Sequence, residues 1–305
     1  MRADLLHVIT VIANPIRWHS REALYEAFEQ HMLDSGVRLT VAELSYGERP
    51  FSLAGRPGIN HIGLRARSLL WSKENLINLA LSRLPDDWKY AAWIDADIHF
   101  RRPDWAAETV HALQQYDVVQ PWSDCHDLGP KNDHMLTHRS FCRLWHDGKP
   151  IRPAGGGYEF AHPGYAWAAT RQALQQTGGL IDTAILGAGD HHMALALIGR
   201  ARESAPKGVT PAYLRPLLAW EERARQFGGN ISYVPGTIEH MWHGPKNKRA
   251  YVDRWGILTR HAFDPDRDLK RNTWGIWELA GNKPRLAQDI DRYMRSRDED
   301  SNSLG

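Results

Sequence analysis

Tyr90-Ala91-Ala92-Trp93-Ile94-Asp95-Ala96-Asp97-Ile98-His99-Phe100 is the stretch on which the reading of this chain turns. Its first half is short, apolar and β-compatible, as expected of a strand buried on both faces. It ends in two carboxylates, Asp95 and Asp97, two positions apart, ahead of a Pro103-Asp104-Trp105 turn. Side chains two apart on a strand point the same way. Both acids are therefore expected to emerge together at the carboxyl end of a central strand, where open α/β sheets bind ligands. Neighbouring carboxylates repel one another unless a cation sits between or beside them. Carboxylate oxygens suit Mg2+ or Mn2+, ions that also hold substrate phosphates. The plainer alternative is a strand end with two solvated acids, or one acid capping the next turn.

Working outward, strand and helix alternate. Residues 5–13 read as a strand, 20–33 as an amphipathic helix, 37–44 as a second strand and 48–63 as a polar connection. Residues 65–84 read as a helix with Leu69, Leu76, Ala80 and Leu84 on one stripe, delivering the chain into the acid-tipped strand. A helix over 104–115, with Asp104 as its N-cap, leads to a strand at 117–122. Residues 123–157, rich in His, Asp, Gly, Pro and Lys and ending in Gly155-Gly156-Gly157, read as a long functional or mobile loop. Beyond them come a helix at 171–176, a helix opening at Asp190 after Gly187-Ala188-Gly189, and a helix at 211–227. A strand at 231–234, a terminal helix at 289–297 and a disordered tail from 298 to 305 complete the pattern. The alternation indicates an α/β fold with a mostly parallel sheet.

Composition narrows the class. At 305 residues, with 42% apolar and 24% charged residues, the chain is long enough for a substantial core. A net charge of +2 neither demands nor excludes a polyanionic partner. Lys246, Lys248, Arg249, Arg254, Arg260, Arg267, Lys270 and Arg271 crowd one late segment. Such a run is either a solvated surface or a phosphate-binding patch. Cys125 and Cys142, with no CxxC pattern, argue for a reducing compartment and against a disulfide scaffold. The N-terminal stretch is too short and polar-interrupted for a signal peptide, and no apolar run reaches the roughly 18–20 residues of a membrane span. A cytoplasmic location is expected. Among 13 tryptophans, Trp93, Trp122, Trp167 and Trp242 flank polar motifs, where rings serve either as core or as stacking surfaces for sugars and bases.

Other residues could carry chemistry. Lys73 shares a helix stripe with Leu69 and Leu76, so it either snorkels outward or sends its ammonium to a phosphate. Asn75 and Asn78 are caps, surface groups or nucleotide contacts. His240 and His243, three apart, can serve one metal; Gly244 behind them could let backbone approach a phosphate, with Lys246 close by. Asp190 reads as an N-cap whose carboxylate the helix dipole keeps ionised, ready to take a proton from a hydroxyl. Gly187 and Gly189 would leave room for a substrate beside it, with His191 and His192 as supporting or exposed groups.

Taken in order, these pieces resemble the GT-A class of nucleotide-sugar-dependent glycosyltransferases of DxD type. The matching residues are Asp95-Ala96-Asp97, Gly187-Ala188-Gly189-Asp190 and His243 to Lys246, within about residues 5 to 250. The resemblance implies a GT-A-like, Rossmann-type three-layer fold with a mostly parallel central sheet. Residues 1–104 would form the nucleotide-sugar-binding half and 105–250 the acceptor-binding and catalytic half of one domain, followed by a basic, helical extension at 251–305. It also implies an inverting, metal-dependent transfer from a UDP-linked sugar to an acceptor hydroxyl. Asp95, Asp97, His243 and His240 would hold Mn2+ or Mg2+. Lys73, Asn75, Asp95, Gly244 and Lys246 would bind the nucleotide sugar, and Asp190 would act as base. The chain departs from the class in having Gly189 where a Glu commonly precedes that acid.

The pattern is also similar to phage glycosyltransferases, including those that sugar hydroxymethylated pyrimidines in DNA, which implies a DNA acceptor and a host cytoplasm. A cell-envelope glycan, a protein or a small molecule is equally open as acceptor. Three other classes compete. A haloacid-dehalogenase-type phosphatase also begins with DxD on a strand, but wants Thr or Val where His99 stands. A zinc hydrolase could be built from Asp190, His191, His192, His240 and His243. A non-catalytic carbohydrate- or DNA-binding module would tolerate Asp97→Ala.

Overall fold

The computed structural model describes residues 2–152, 160–249 and 253–302, without the side chains of Lys246 and Asn247. In chain order the first elements are β1 (Leu6–Ala13), α1 (His19–Asp34), β2 (Arg38–Tyr46), β3 (Asn60–Ala66), α2 (Lys73–Leu81), β4 (Tyr90–Ile94), β5 (Ile98–Phe100) and α3 (Trp105–Ala112). Next come β6 (Val118–Gln120), β7 (Asp124–Leu128), β8 (His134–Ser140), α4 (Phe141–His146), β9 (Ala161–His162), β10 (Ala166–Thr170) and α5 (Arg171–Thr177). The remainder are α6 (Gly189–Leu197), α7 (Pro211–Ala224), β11 (Ile231–Tyr233), β12 (Thr237–His240), α8 (Trp255–Arg260), α9 (Pro265–Asp268), β13 (Leu269–Arg271), β14 (Trp277–Leu279) and α10 (Pro284–Arg295).

A seven-stranded sheet in the order β11-β6-β10-β4-β1-β2-β3 forms the centre. β10 runs antiparallel to both neighbours, and the other pairings in this sheet are parallel. Both faces are covered, which is why β1 and β4 read as nearly unbroken apolar runs. Alternation along the strands divides the core in two. Leu6, Val8, Val41, Ala92 and Ile94 pack against Tyr25, Phe28 and Met32 of α1 and Trp105 and Val110 of α3. On the opposite face, Ile9, Leu44, Ala91 and Trp93 meet Leu76 and Ala80 of α2, Leu174 of α5, Met193 of α6 and Trp220 of α7. The result is a three-layer α/β/α arrangement. Burying each large apolar side chain contributes roughly 1.5–3 kcal/mol. No described helix is long and apolar enough to cross a membrane.

A second sheet, ordered β5-β12-β7-β8-β9, grows from the carboxyl edge of the first. The chain leaves β4 at Ile94, turns through residues 95–97, and enters the second sheet at Ile98. The Asp95 N–H donates to the Tyr165 carbonyl at 2.8 Å, and the Ile98 N–H to the Asp95 carbonyl at 3.3 Å. Both acids therefore lie in the turn joining two sheets. They do not share one strand face, and their side chains diverge.

Three expected elements differ. The long helix at 65–84 is the edge strand β3 followed by the shorter α2, whose first residue is Lys73. Ile62, Leu64 and Ala66 are buried in strand alternation, and that pairing with β2 delays the start of the helix. The loop at 123–157 contains β7, β8 and α4; its strands look polar because their inward side chains line a polar site. Gly155, Gly156 and Gly157 lie outside the described residues. The tail is packed as far as residue 301, with Glu299 buried and the Ser301 carbonyl bound by Trp242.

Candidate active site

Asp97, His240 and His243 converge at the junction of the two sheets. β12 pairs antiparallel with β5 and parallel with β7, which puts His240 opposite Ile98 on one side and Asp127 on the other. The Met241 N–H donates to the Asp97 carbonyl at 2.9 Å, extending the ladder and fixing Asp97 beside the turn at 240–243. His243 Nε2 stands 3.1 Å and His240 Nε2 3.7 Å from Asp97 Oδ2, and the two Nε2 atoms are 3.1 Å apart. One donor atom from each of the three lies within 4.8 Å of the others. Donors held about 2.1 Å from a single ion sit roughly 3.4 Å apart at tetrahedral angles, so the spacing fits a metal.

The electrostatics fit as well. Asp97 Oδ1 is buried with no hydrogen-bond partner among the described residues. Burial pushes the Asp97 carboxyl upward, but His240, His243 and Arg249 outweigh it and hold the group well below the usual carboxylate range. The Arg249 guanidinium donates to His243 Nε2 at 2.9 Å, so that nitrogen carries no proton, and a metal would take its single lone pair in place of Arg249. Burial, followed by Arg249, drives His243 well below the ordinary imidazole value. The donor set is thus one carboxylate and two imidazoles. Two imidazoles favour Mn2+ over Mg2+.

Asp95 faces the other way. Its carboxylate pairs with the Lys73 ammonium, and it stands outside the three-residue group. Burial works against the charge on Lys73, but Asp95, Asp190 and Glu74 overcome it and raise the ammonium above its ordinary value. Glu74, buried beside Lys73, is pushed up to about 8 by burial, with Lys73 opposing and Asp190 adding to the shift. Its carboxyl lies against the first turn of α6, where a Cβ on Gly189 would stand 2.5 Å from Glu74 Cδ. Asp190 is the second residue of α6, not its cap; Ala188 holds the N-cap position at φ 77°. Asp190 Oδ1 accepts the His191 N–H at 2.8 Å, and Oδ2 lies 3.2 Å from where a Cβ on Gly164 would be. Lys73, Asp95 and Asp190 are thereby gathered next to the three metal-type donors.

Several expected roles do not survive the geometry. Asn75 is buried and clamps the hairpin of β13 and β14, donating to the Gly275 carbonyl at 3.3 Å and accepting the Trp277 N–H at 2.9 Å, so its amide is committed away from any nucleotide. Asn78 is likewise bound to both backbone groups of Leu180, at 3.0 and 2.8 Å. Gly244, at φ 89°, admits the C-terminal backbone, not a phosphate: a Cβ there would meet the Asp298 carbonyl at 2.7 Å. The side chain of Lys246 lies outside the described residues. The space at Gly189 is taken by Glu74 and that at Gly187 by Arg254 and Trp71. His192 is fully buried between Ser204 Oγ (2.7 Å) and the Tyr213 hydroxyl (2.9 Å). Trp93, Trp122 and Trp167 are core, and Trp242 donates to the Ser301 carbonyl at 2.9 Å. The late basic run is dispersed. Arg249 and Arg254 are buried, Arg260 pairs with Asp289 at 3.0 Å, and Arg271 pairs with Asp182 at 2.8 Å.

Sequence reasoning missed Glu74, Asp127 and Glu299, and placed Arg249 only in a basic run. Glu299 approaches His243 Nδ1 at 3.9 Å and is held by Arg21 and Arg297 at 2.6 and 2.7 Å. Asp300 accepts the His19 and Ser20 N–H groups at the start of α1, at 3.0 and 2.8 Å. For Asp127 the polar sequence of β7 carried no local signal, because an aspartate takes an inward position there.

No protein-family model and no curated protein matches the sequence. Among solved structures the chain is similar to a variant of Drosophila beta-1,4-galactosyltransferase 7 in complex with manganese, UDP-Gal and xylobiose, at 11% identity over 92% of this chain and 97% of that one, with a TM-score of 0.44. It is similar to S. aureus TarS in complex with UDP-GlcNAc, at 9% identity over 95% and 72% of the two chains, with a TM-score of 0.45. A third likeness is to glucosyl-3-phosphoglycerate synthase from Mycobacterium tuberculosis in complex with Mn2+, UDP and phosphoglyceric acid, at 15% identity over 84% and 75%, with a TM-score of 0.40. Likenesses this distant lend nothing to the assignment of chemistry, which rests on this chain's own side chains.

Proposed function

We propose that this protein is a metal-dependent glycosyltransferase of GT-A type that moves a sugar from a nucleotide sugar, UDP-linked, to an acceptor hydroxyl with inversion. The observation that carries this reading is the meeting of Asp97, His240 and His243 in one donor set at the carboxyl end of β4, with Asp190 and Lys73 close by. Asp97, His240 and His243 would hold Mn2+. When bound, the ion would neutralise charge on the departing diphosphate. Lys73 stays protonated and adds a second positive centre beside it. Asp190 takes the proton of the acceptor hydroxyl as the new bond to the anomeric carbon forms. The bond from that carbon to the diphosphate oxygen breaks, and the electron pair leaves with the nucleotide.

The test is release of UDP from a panel of UDP-sugars with Mn2+ and candidate acceptors. Asp190→Asn should lower turnover by roughly 10²–10⁴-fold, with UDP binding within threefold of the parent. Turnover within a few-fold of the parent removes Asp190 as base. No UDP release from any donor contradicts the glycosyltransferase reading.

The donor set of two imidazoles and one carboxylate also suits zinc in a hydrolase. Stoichiometric, tightly held Zn2+ in protein purified without added metal favours that second reading. For the acceptor we propose 5-hydroxymethylpyrimidine DNA as one class to be tried beside glycans, proteins and small molecules. It is supported by the exposed Lys248, Arg267 and Lys270, and weakened by the inward turn of Arg249 and Arg254. Duplex binding that falls steeply with salt is the expected sign.

A further inference from the structure

Behind His240, on the side away from Asp97, lies a carboxylate that the reaction above does not use. Asp127 is 2% exposed, on the central strand β7 of the second sheet. Its Oδ1 is 2.5 Å from His240 Nδ1, and its Oδ2 is 3.1 Å from Nε2 of His138, a residue of β8. The sheet makes this unavoidable: β7 is flanked by β12 and β8, and the register sets His240 directly beside Asp127. Both histidines are buried, at 5% and 6% exposure. The Tyr165 ring, 4.8 Å from His240 and stacked on His162 at 4.1 Å, closes the remaining side.

We propose that Asp127 is a positioning residue of the metal centre, fixing His240 in the tautomer that turns its Nε2 lone pair toward Asp97 and His243. An ionised carboxylate only accepts hydrogen bonds. At 2.5 Å the facing nitrogen must therefore carry the proton, because a lone pair there would oppose the carboxylate oxygen. In the neutral ring a proton on Nδ1 leaves Nε2 bare and facing the donor group. The other tautomer would also aim an N–H at His243 Nε2, which already accepts from Arg249. A carboxylate behind a ligating imidazole raises its basicity and fixes the ring's orientation. By bonding His138 through its second oxygen, Asp127 is itself held in place.

This inference rests on the metal reading, and the experiment separates the two. Long-range 1H–15N correlation spectra of the metal-free wild-type protein, with His240 assigned from His240→Gln, should show Nδ1 protonated and Nε2 bare. This measurement needs no Asp127 variant and so does not depend on such a variant folding. Mn2+ affinity is then measured by the electron paramagnetic resonance of free Mn2+ in wild type, Asp97→Asn and Asp127→Asn. The amide offers one acceptor oxygen where two histidines need one each, so Asp127→Asn should weaken Mn2+ by roughly ten- to hundred-fold. A His240 protonated on Nε2, or an Asp127→Asn affinity within twofold of wild type while Asp97→Asn loses Mn2+, overturns the role of Asp127 and leaves the metal reading standing. Absence of Mn2+ binding by the wild type overturns both.

Discussion

Asp95 and Asp97 are two positions apart and take opposite partners, an ammonium on one side and two imidazoles on the other. Their type and place at the end of β4 were readable, because an apolar run ending in two acids requires compensating positive charge. Their divergence was not, because it depends on a turn between two sheets. Glu74 was illegible for a similar reason: nothing local marks a glutamate that folds into the space left by a glycine more than a hundred positions later. It gives the molecule a pH dependence. The folded carboxyl is pushed up to about 8, whereas the ordinary value is about 4.3. Between these values the unfolded chain has released the proton and the folded chain has kept it, so this group's effect on stability worsens as pH rises through that window. Glu74→Gln cannot ionise. Its stability relative to wild type, from urea midpoints, should therefore be more favourable at pH 7 than at pH 4; an equal difference at both would show that Glu74 is not held protonated.

Among the elements, β1, α1, β2, α5, α7 and β11 lie within a few residues of where periodicity places them, since each buries a regular face on the central sheet. β3, β7 and β8 escaped notice. β3 is an edge strand with half its residues partly exposed, and β7 and β8 bury histidine and aspartate in place of apolar side chains. A strand that lines a polar site loses the hydrophobic alternation by which strands are recognised. The turn after β12 shows what close approach demands. Gly244 has φ 89° and Gly281 has φ 93°, but only at Gly244 would a Cβ collide, at 2.7 Å from the Asp298 carbonyl. Gly244→Ala should cost roughly 1–3 kcal/mol of backbone strain, plus the displacement of residues 298–302. Gly281→Ala, which meets nothing, should cost less. Equal losses in denaturant unfolding would mean that the tail does not press on this turn.

At the scale of the whole molecule, the C-terminal segment ties the first helix to the candidate active site. Glu299 has no exposed side-chain surface and is bound by Arg21 of α1 and by Arg297. Asp300 closes the N-terminus of the same helix. The polar sequence of residues 298–305 suggested a loose end; the ion pair of Glu299 with the distant Arg21, invisible locally, and the Trp242 bond to the Ser301 carbonyl pack it as far as residue 301 instead. Removing one member of a buried ion pair typically costs about 3–5 kcal/mol, and Glu299→Ala is expected to lose that much in urea unfolding. A loss under about 1 kcal/mol, the range of surface pairs, would mean that the segment only rests on the surface.

The sheet order, the strand-end acids and the late histidines all bear on one question, whether a single cation sits among Asp97, His240 and His243. Titration of the purified protein with Mn2+, with free ion read by electron paramagnetic resonance, answers it. One Mn2+ should bind per chain, tighten when UDP is added, and be lost in both Asp97→Asn and His243→Ala. No binding by the wild type, or binding that both variants retain, would contradict the metal centre and the glycosyltransferase built on it.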